Sequence, residues 1–434
     1  MKRRTRAVAW LSPGVGIAML LSGAPAAAAR HSEPVDRWIA RHAVPLATTD
    51  PSAPLDDLVP LHRSVGDASV VGLGESVHGT AEETALKLRA LRFLVERMGF
   101  RSIAWEEDWT MGLKIDEYVR TGKGDPDALA REMSFQWRTR EMADVLRWLR
   151  GYNAGRKDKV RFVGVEYYFT RPLAYDGIKA YVAKTAPERL PELREHRIVR
   201  PWTSDMPVYT TWFREKVDDK RSYVRHARQV YELVKDLPDQ GRDHETALHH
   251  ARQIVSFYEH FLLEFNEANA YRDARAAENL AWWRTFSGGD KVVYWGASAH
   301  TANAPELHIT AQDGRDLRYP TAGSHLRRRY GQRYRSIGFT LDHGEVSLGP
   351  GGTVVLARPA PNWFERRFAG VGAAQFVLDL RSPAAAPVRR WLDAPATTRG
   401  LPHFGPDSTT TGGSLSQWFD VIVHRHEVSP ARPA

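Results

Sequence analysis

The sequence predicts an α/β protein with a mostly parallel sheet, flanking helices and a large helical insertion. From Ser69 onward, short apolar runs alternate with helix-period segments, the rhythm of strands joined by crossover helices. Between about 173 and 286 the pattern is helical alone, rich in His, Arg and aromatic residues. A chain of 434 residues, 42% of them hydrophobic, can bury a core that holds both parts in one domain.

The first segment reads differently. Lys2 to Arg6 are basic, Ala7 to Leu21 are largely apolar, and Ala24 to Ala29 are small residues around Pro25, the three zones of a secretory signal. Residues 1–29 are expected to be a signal peptide and 30–434 a secreted domain, with no membrane attachment once the leader is gone. Removing the leader's four basic residues lowers the formal charge from +9 to about +5. No long Lys/Arg run remains, so nucleic acid is not an expected partner. Cys is absent, which excludes thiol nucleophiles, thiolate metal sites and disulfides.

Val70, Val71 and Leu73 form a short buried strand that ends in glycines. A helix follows: Thr80 and Glu83 have capping-box spacing, Leu88, Leu91, Val95 and Met98 recur on one face, and Gly99 stops it. Ser102 to Trp105 is a second strand running into Glu106-Glu107-Asp108. Helical patterns cover Met111–Thr121 and Glu141–Asn153, with a turn into a helix at Asp125-Pro126-Asp127. Val160 to Val165 is a third strand, ending at Glu166. Lys291 to Trp295 is a fourth, running into Gly296-Ala297-Ser298-Ala299-His300. Tyr334–Phe339, Thr353–Leu356 and Gln375–Leu378 are expected to complete the sheet, and the tail from 429 is expected to be disordered.

Ligands of open α/β sheets bind beyond the carboxyl ends of the strands. That rule gathers Glu75 and His78 from the first strand, Glu106 from the second, Glu166 from the third and His300 from the fourth. Other motifs fail on spacing. Gly72-x-Gly74 meets Val77 where a dinucleotide fingerprint needs glycine, and Gly74-x-Ser76-x-His78 lacks the last glycine of a nucleophile elbow. His244-Glu245 and His249 miss the zinc-protease spacing by one residue and read as a polar helix face.

Gly72-Leu73-Gly74-Glu75-Ser76-Val77-His78-Gly79 resembles the signature of the erythromycin esterase family. Arg101–Glu106, Trp148–Asn153, Arg272-Asp273 with Glu278-Asn279-Leu280, Gly323–Arg327 and Tyr334–Phe339 resemble further segments of it, from about Ser69 to Leu380. The resemblance implies an erythromycin esterase-like fold and hydrolysis of a macrolide lactone or other carboxylic ester, with antibiotic resistance as a consequence. It also implies that His78 activates water, that Glu75 and Glu106 orient it, and that His300 is the second histidine of a Trp-x-His-Asn-x-His segment. Ala297 stands where the first of those histidines would be, and Glu166 replaces an aspartate.

The oxyanion is expected to meet His300, Arg272 or backbone N–H groups near Gly79 and Thr80, with Arg272 and Glu166 contacting substrate. The helical insertion and the loop from Phe135 to Glu141 are expected to supply further contacts, although Trp202, Tyr209, Trp212 and Phe213 have the spacing of helix packing. No cofactor or metal is required, and a monomer acting on a small ester or lactone is expected. Two other readings stay open: a ligand-binding relative without turnover, and a metal-dependent hydrolase of another ester, such as a glycan ester, using Glu75, His78, Glu106 and His300 as ligands.

Overall fold

The computed structural model describes residues 34–405 and 407–434, so the expected signal segment 1–29 lies outside the described residues. In chain order the strands are β1 (Val44–Pro45), β2 (Val70–Leu73), β3 (Ser102–Asp108), β4 (Arg161–Glu166), β5 (Val292–Trp295), β6 (Leu307–Thr310), β7 (Asp316–Tyr319), β8 (Tyr334–Ser347), β9 (Thr353–Leu356), β10 (Gln375–Asp379), β11 (Thr398–Arg399), β12 (Thr409–Thr411) and β13 (Val421–Val428). The main sheet runs β1-β10-β13-β8-β2-β5-β3-β4, with β9 paired to β8. Every neighbour from β13 to β4 is parallel, while β1, β10 and β9 join antiparallel. In register, Val70 faces Val292 and Tyr334, and Ser102 faces Val292 and Arg161, so these strands begin level and open at one carboxyl edge. The remaining four strands form a separate antiparallel sheet, β11-β12-β6-β7.

Both faces of the parallel region are covered, which is why its strands read as continuous apolar runs. On one face Leu73, Trp105 and Trp295 pack with Leu91, Ile115, Met142 and Leu146 from helices Ala81–Met98, Trp109–Thr121 and Arg140–Asn153. On the other, Val70, Ala104, Val163 and Tyr294 meet Leu280 and Trp283 of helix Phe265–Phe286. Helix Trp109–Thr121 approaches β4 so closely that a Cβ on Gly112 would overlap the backbone of Gly164. Between Pro172 and Phe286 the elements are helical throughout. They carry a second core in which Tyr209 and Phe213 are buried against Phe257 and Tyr258, as helix packing requires. Among the described residues no helix is long and apolar enough to cross a membrane.

Several local expectations need correction. Thr80 does precede helix Ala81–Met98, but it makes no side-chain cap. Glu83 is drawn instead to Ser76, whose backbone N–H and hydroxyl donate to it at 3.1 and 2.7 Å. His249 is buried rather than on a polar face, stacked on Trp282 with ring centroids 3.6 Å apart. The tail from 429 is ordered: Ser429 donates to Glu82, Arg432 pairs with Glu141, and Pro430 and Pro433 bridge to Thr80 and Thr139. Those side-chain partners lie on helices distant in sequence, so composition alone signals a free end. Strand β13, two places from β2, was outside the expected set, because its polar half (His424, Arg425, His426, Glu427) hides an apolar start.

Candidate active site

Strands β2, β3, β4 and β5 lead into the groups of the site at the carboxyl edge of the sheet. After β2, Glu75 and His78 occupy a tight turn that closes at Gly79, where φ is +85° and a Cβ would collide with the Ser347 carbonyl. Strand β3 shifts register between Trp105 and Asp108, an irregularity that re-aims side chains. Glu106 therefore points into the cleft, where its Oε2 accepts from Ala297 N–H at 2.8 Å, while Glu107 accepts from the Ser134 backbone N–H.

His78 Nδ1 lies 2.6 Å from Glu75 Oε1. A carboxylate on Nδ1 holds the proton there and leaves Nε2 bare. Nε2 faces the cleft, 3.8 Å from Glu106 Oε1 and so beyond direct hydrogen bonding. The edge of Trp137 packs against the ring, centroids 4.9 Å apart, and Trp137 Nε1–H donates to the Glu106 carbonyl at 2.8 Å. Burial opposes a charged His78, yet the Glu75 carboxylate and then Glu106 outweigh it and hold the imidazole pKa above its usual value. Behind Glu75 lies Lys87, fully buried, with Nζ 3.4 Å from Glu75 Oε2, donating to the Gly296 carbonyl and sitting over the Trp295 ring.

Arg272 organises the other side. Its Nη2 donates to Glu106 Oε1 at 2.9 Å, its Nε to Glu166 Oε2 at 3.0 Å and its Nη1 to His300 Nε2 at 3.0 Å, while the guanidinium lies over the Tyr168 ring. When His300 is neutral, its Nδ1–H tautomer leaves Nε2 bare to accept from Nη1, with Asp273 Oδ1 2.8 Å from Nδ1. Burial disfavours charge on His300 and Asp273 favours it, and the net direction is upward. Burial works against an ionised Glu106, but His300, His78 and Arg272 draw its pKa down to about 2. Burial pushes Glu166 upward, only partly offset by Arg272.

The structure thus brings Glu75, His78, Glu106, Glu166, Arg272 and His300 into one continuous network. The Ser76 hydroxyl is committed to Glu83. Among the described residues no group of three or more His, Asp or Glu could hold a metal ion, and the cationic place between Glu106 and Glu166 belongs to Arg272. Sequence reasoning missed the roles of Lys87 and Asp273. A Glu83–Lys87 pair one helical turn apart beside an apolar stripe was the available signal for the first; Asp273 stands in the Arg272-Asp273 segment singled out by the family resemblance, but nothing local assigns it to His300.

Two cavities meet at His78. The larger, about 770 Å³, runs under the ordered tail, with Val77, Leu348, Pro402 and Pro433 in its walls. The smaller, about 400 Å³, holds the Arg272 network. Both are bordered by His78, Phe135, Gln136, Ala297, Leu401 and His403. Burial, then the neighbouring His78 and Arg315, lowers the pKa of His403.

The profile described as Erythromycin esterase matches residues 95–428. The chain belongs to the erythromycin esterase family. An erythromycin esterase type II from Escherichia coli is 31% identical over 131 residues, a match spanning 30% of this chain and 31% of that protein's length. A solved Bacillus cereus protein superposes with a TM-score of 0.79 at 30% identity, over 92% of this chain and 98% of that one. A mutant of the erythromycin esterase EreC in its open conformation superposes with a TM-score of 0.68 over 88% of this chain and 97% of that one. At 16% identity this last match speaks for the erythromycin esterase fold alone.

Proposed function

We propose that the protein is an exported, monomeric hydrolase that cleaves a carboxylic ester or macrolide lactone with water activated by His78, and so can confer macrolide resistance. Family membership supports hydrolysis, and the observation that carries the mechanism is the bare Nε2 of His78, backed by Glu75 and turned to the cleft. Water bound at Nε2 gives its proton to the imidazole as its oxygen attacks the carbonyl carbon; Glu75 stabilises the imidazolium that forms. Arg272 uses three N–H bonds on Glu106, Glu166 and His300, and the guanidinium has others to offer the tetrahedral oxyanion. Collapse breaks the C–O bond, and the departing alkoxide takes the proton from His78. The export reading rests on the zones of residues 1–29.

The test is incubation of the purified chain with a panel of macrolides and mass spectrometry of the products. A product heavier by one water, lost in His78→Ala and retained with a chelator, is expected. Hydrolysis that survives His78→Ala overturns the proposal.

A further inference from the structure

The segment Ser429 to Ala434 commits every backbone N–H it owns to two places beside the site; Pro430 and Pro433 have none to place. Ser429 N–H donates to Glu82 Oε2 at 2.7 Å and Ala431 N–H to the Gly79 carbonyl at 2.9 Å. Arg432 N–H donates to Glu141 Oε2 at 3.0 Å and Ala434 N–H to the Arg138 carbonyl at 3.1 Å. In return, the Ser429 carbonyl accepts from Ala81 N–H at 2.9 Å and the Arg432 carbonyl from Arg140 N–H at 2.8 Å. Ala81 and Arg140 are the first residues of helices Ala81–Met98 and Arg140–Asn153. The tail therefore satisfies an N–H at each helix start, groups that no carbonyl within the helix can reach.

These two anchorage points flank the groups of the site. Gly79 follows His78, and Arg138 follows Trp137, whose ring edge meets the His78 ring and whose Nε1–H holds the Glu106 carbonyl. Gly79 is also fixed to β8, since Ser347 N–H donates to the same carbonyl at 3.0 Å. That bond ties the His78 turn to the sheet, and the tail carries the turn across to the segment that bears Trp137. On the reading of His78 as the water-activating base, we infer that Ser429 to Ala434 is a positioning strap, which clamps the His78 turn to the Trp137 segment and so sets where the bare Nε2 stands in the cleft. General-base help depends on such placement, because a displacement of about 1 Å can cost on the order of 10²-fold in rate. The two prolines suit a strap, since a fixed φ leaves less freedom to lose on ordering. Ala431, Pro433 and Ala434 also border the larger cavity, so clamp and cavity wall are one piece of chain.

Hydrogen exchange followed by NMR reads the strap without any ester being cleaved. Two variants are compared with the unaltered chain: Ala431→Pro, which deletes the N–H on Gly79 and leaves the wall, and a chain ended at Val428, which loses both. The Trp137 indole N–H is expected to exchange about tenfold faster in each. The Trp283 indole N–H, which donates to Ser102 Oγ at 2.9 Å on the opposite face of the sheet, should keep its rate. Ala431→Gly retains the N–H and should retain slow exchange at Trp137. Unchanged exchange at Trp137 overturns the inference, and so does equal acceleration at Trp137 and Trp283, the mark of general loosening. Acceleration in the shortened chain alone also overturns it, because lost cover then accounts for the change. With p-nitrophenyl butyrate as substrate, Ala431→Pro is expected to lower kcat about tenfold with KM within about threefold, and Ala431→Gly to recover most of that loss. A kcat untouched by Ala431→Pro overturns the inference. The expected exchange pattern with no cleavage of p-nitrophenyl butyrate or of any macrolide by the unaltered chain overturns the hydrolase reading and leaves the strap standing.

Discussion

His78 and His300 are built alike at one nitrogen and differently at the other. Each presents Nδ1 to a carboxylate, Glu75 at 2.6 Å and Asp273 at 2.8 Å, and each is drawn toward the charged form against its burial. At Nε2 they part. His300 meets the Arg272 guanidinium at 3.0 Å, whereas His78 faces the cleft with its nearest carboxylate 3.8 Å away. A carboxylate–histidine pair therefore does not define a base; what meets the second nitrogen does. In the proposed mechanism His78 takes a proton from water, while the geometry at His300 Nε2 holds Arg272.

The largest expected effect separates the two rings directly. His78→Ala should reduce kcat by about 10²–10⁴, the range of lost general-base help, with the melting temperature nearly unchanged. His300→Ala should cost less in rate and more in stability, measured by turnover and thermal unfolding of the same samples. Equal rate losses in both variants would erase the distinction. Next in size is Arg272→Met, which leaves Glu106 and Glu166 buried without their cation; a loss of about 3–5 kcal/mol in denaturant unfolding is expected.

The pH profile sharpens the comparison further. A base works when neutral, so the rate should rise with pH through the His78 pKa, which Glu75 and Glu106 hold above the usual value despite burial. Glu75→Gln removes the leading upward influence, and the rising limb should move to lower pH while the maximal rate falls. An unmoved limb would assign that pKa to another group. Lys87→Met should act through Glu75, lowering kcat with little change in KM, and Lys87→Arg should restore part of it. The smallest effect is expected for Asp273→Asn, which keeps a hydrogen-bonding side chain at His300 Nδ1: about a tenfold loss or less in kcat/KM.

Much of the scaffold was legible in the residues. β2, β3, β4 and β5 each announce themselves as an apolar run, because the middle of a strand covered on both faces meets only apolar neighbours; β3 and β4 run on into carboxylates, and β2 and β5 give way to glycine ahead of Glu75 and, on a short helix, His300. Glu75 and His78 were readable as a pair, since three residues in a tight turn suffice to bring them together. The tail and β13 were not: the tail's side-chain partners lie hundreds of residues away, and the polar second half of β13 masks its pairing with β8 and β10.

The sequence by itself determined the α/β rhythm, the sheet edge that bears the site and the acidic and imidazole groups delivered there. The tertiary structure alone decided that Arg272 takes the cationic place between Glu106 and Glu166, that Lys87 backs Glu75, and that the tail walls the larger cavity. The physical reason is one of range. Periodicity reports which face of a segment avoids water, a property of the segment itself, whereas charge pairing depends on which distant segment covers that face, and only the folded chain specifies it.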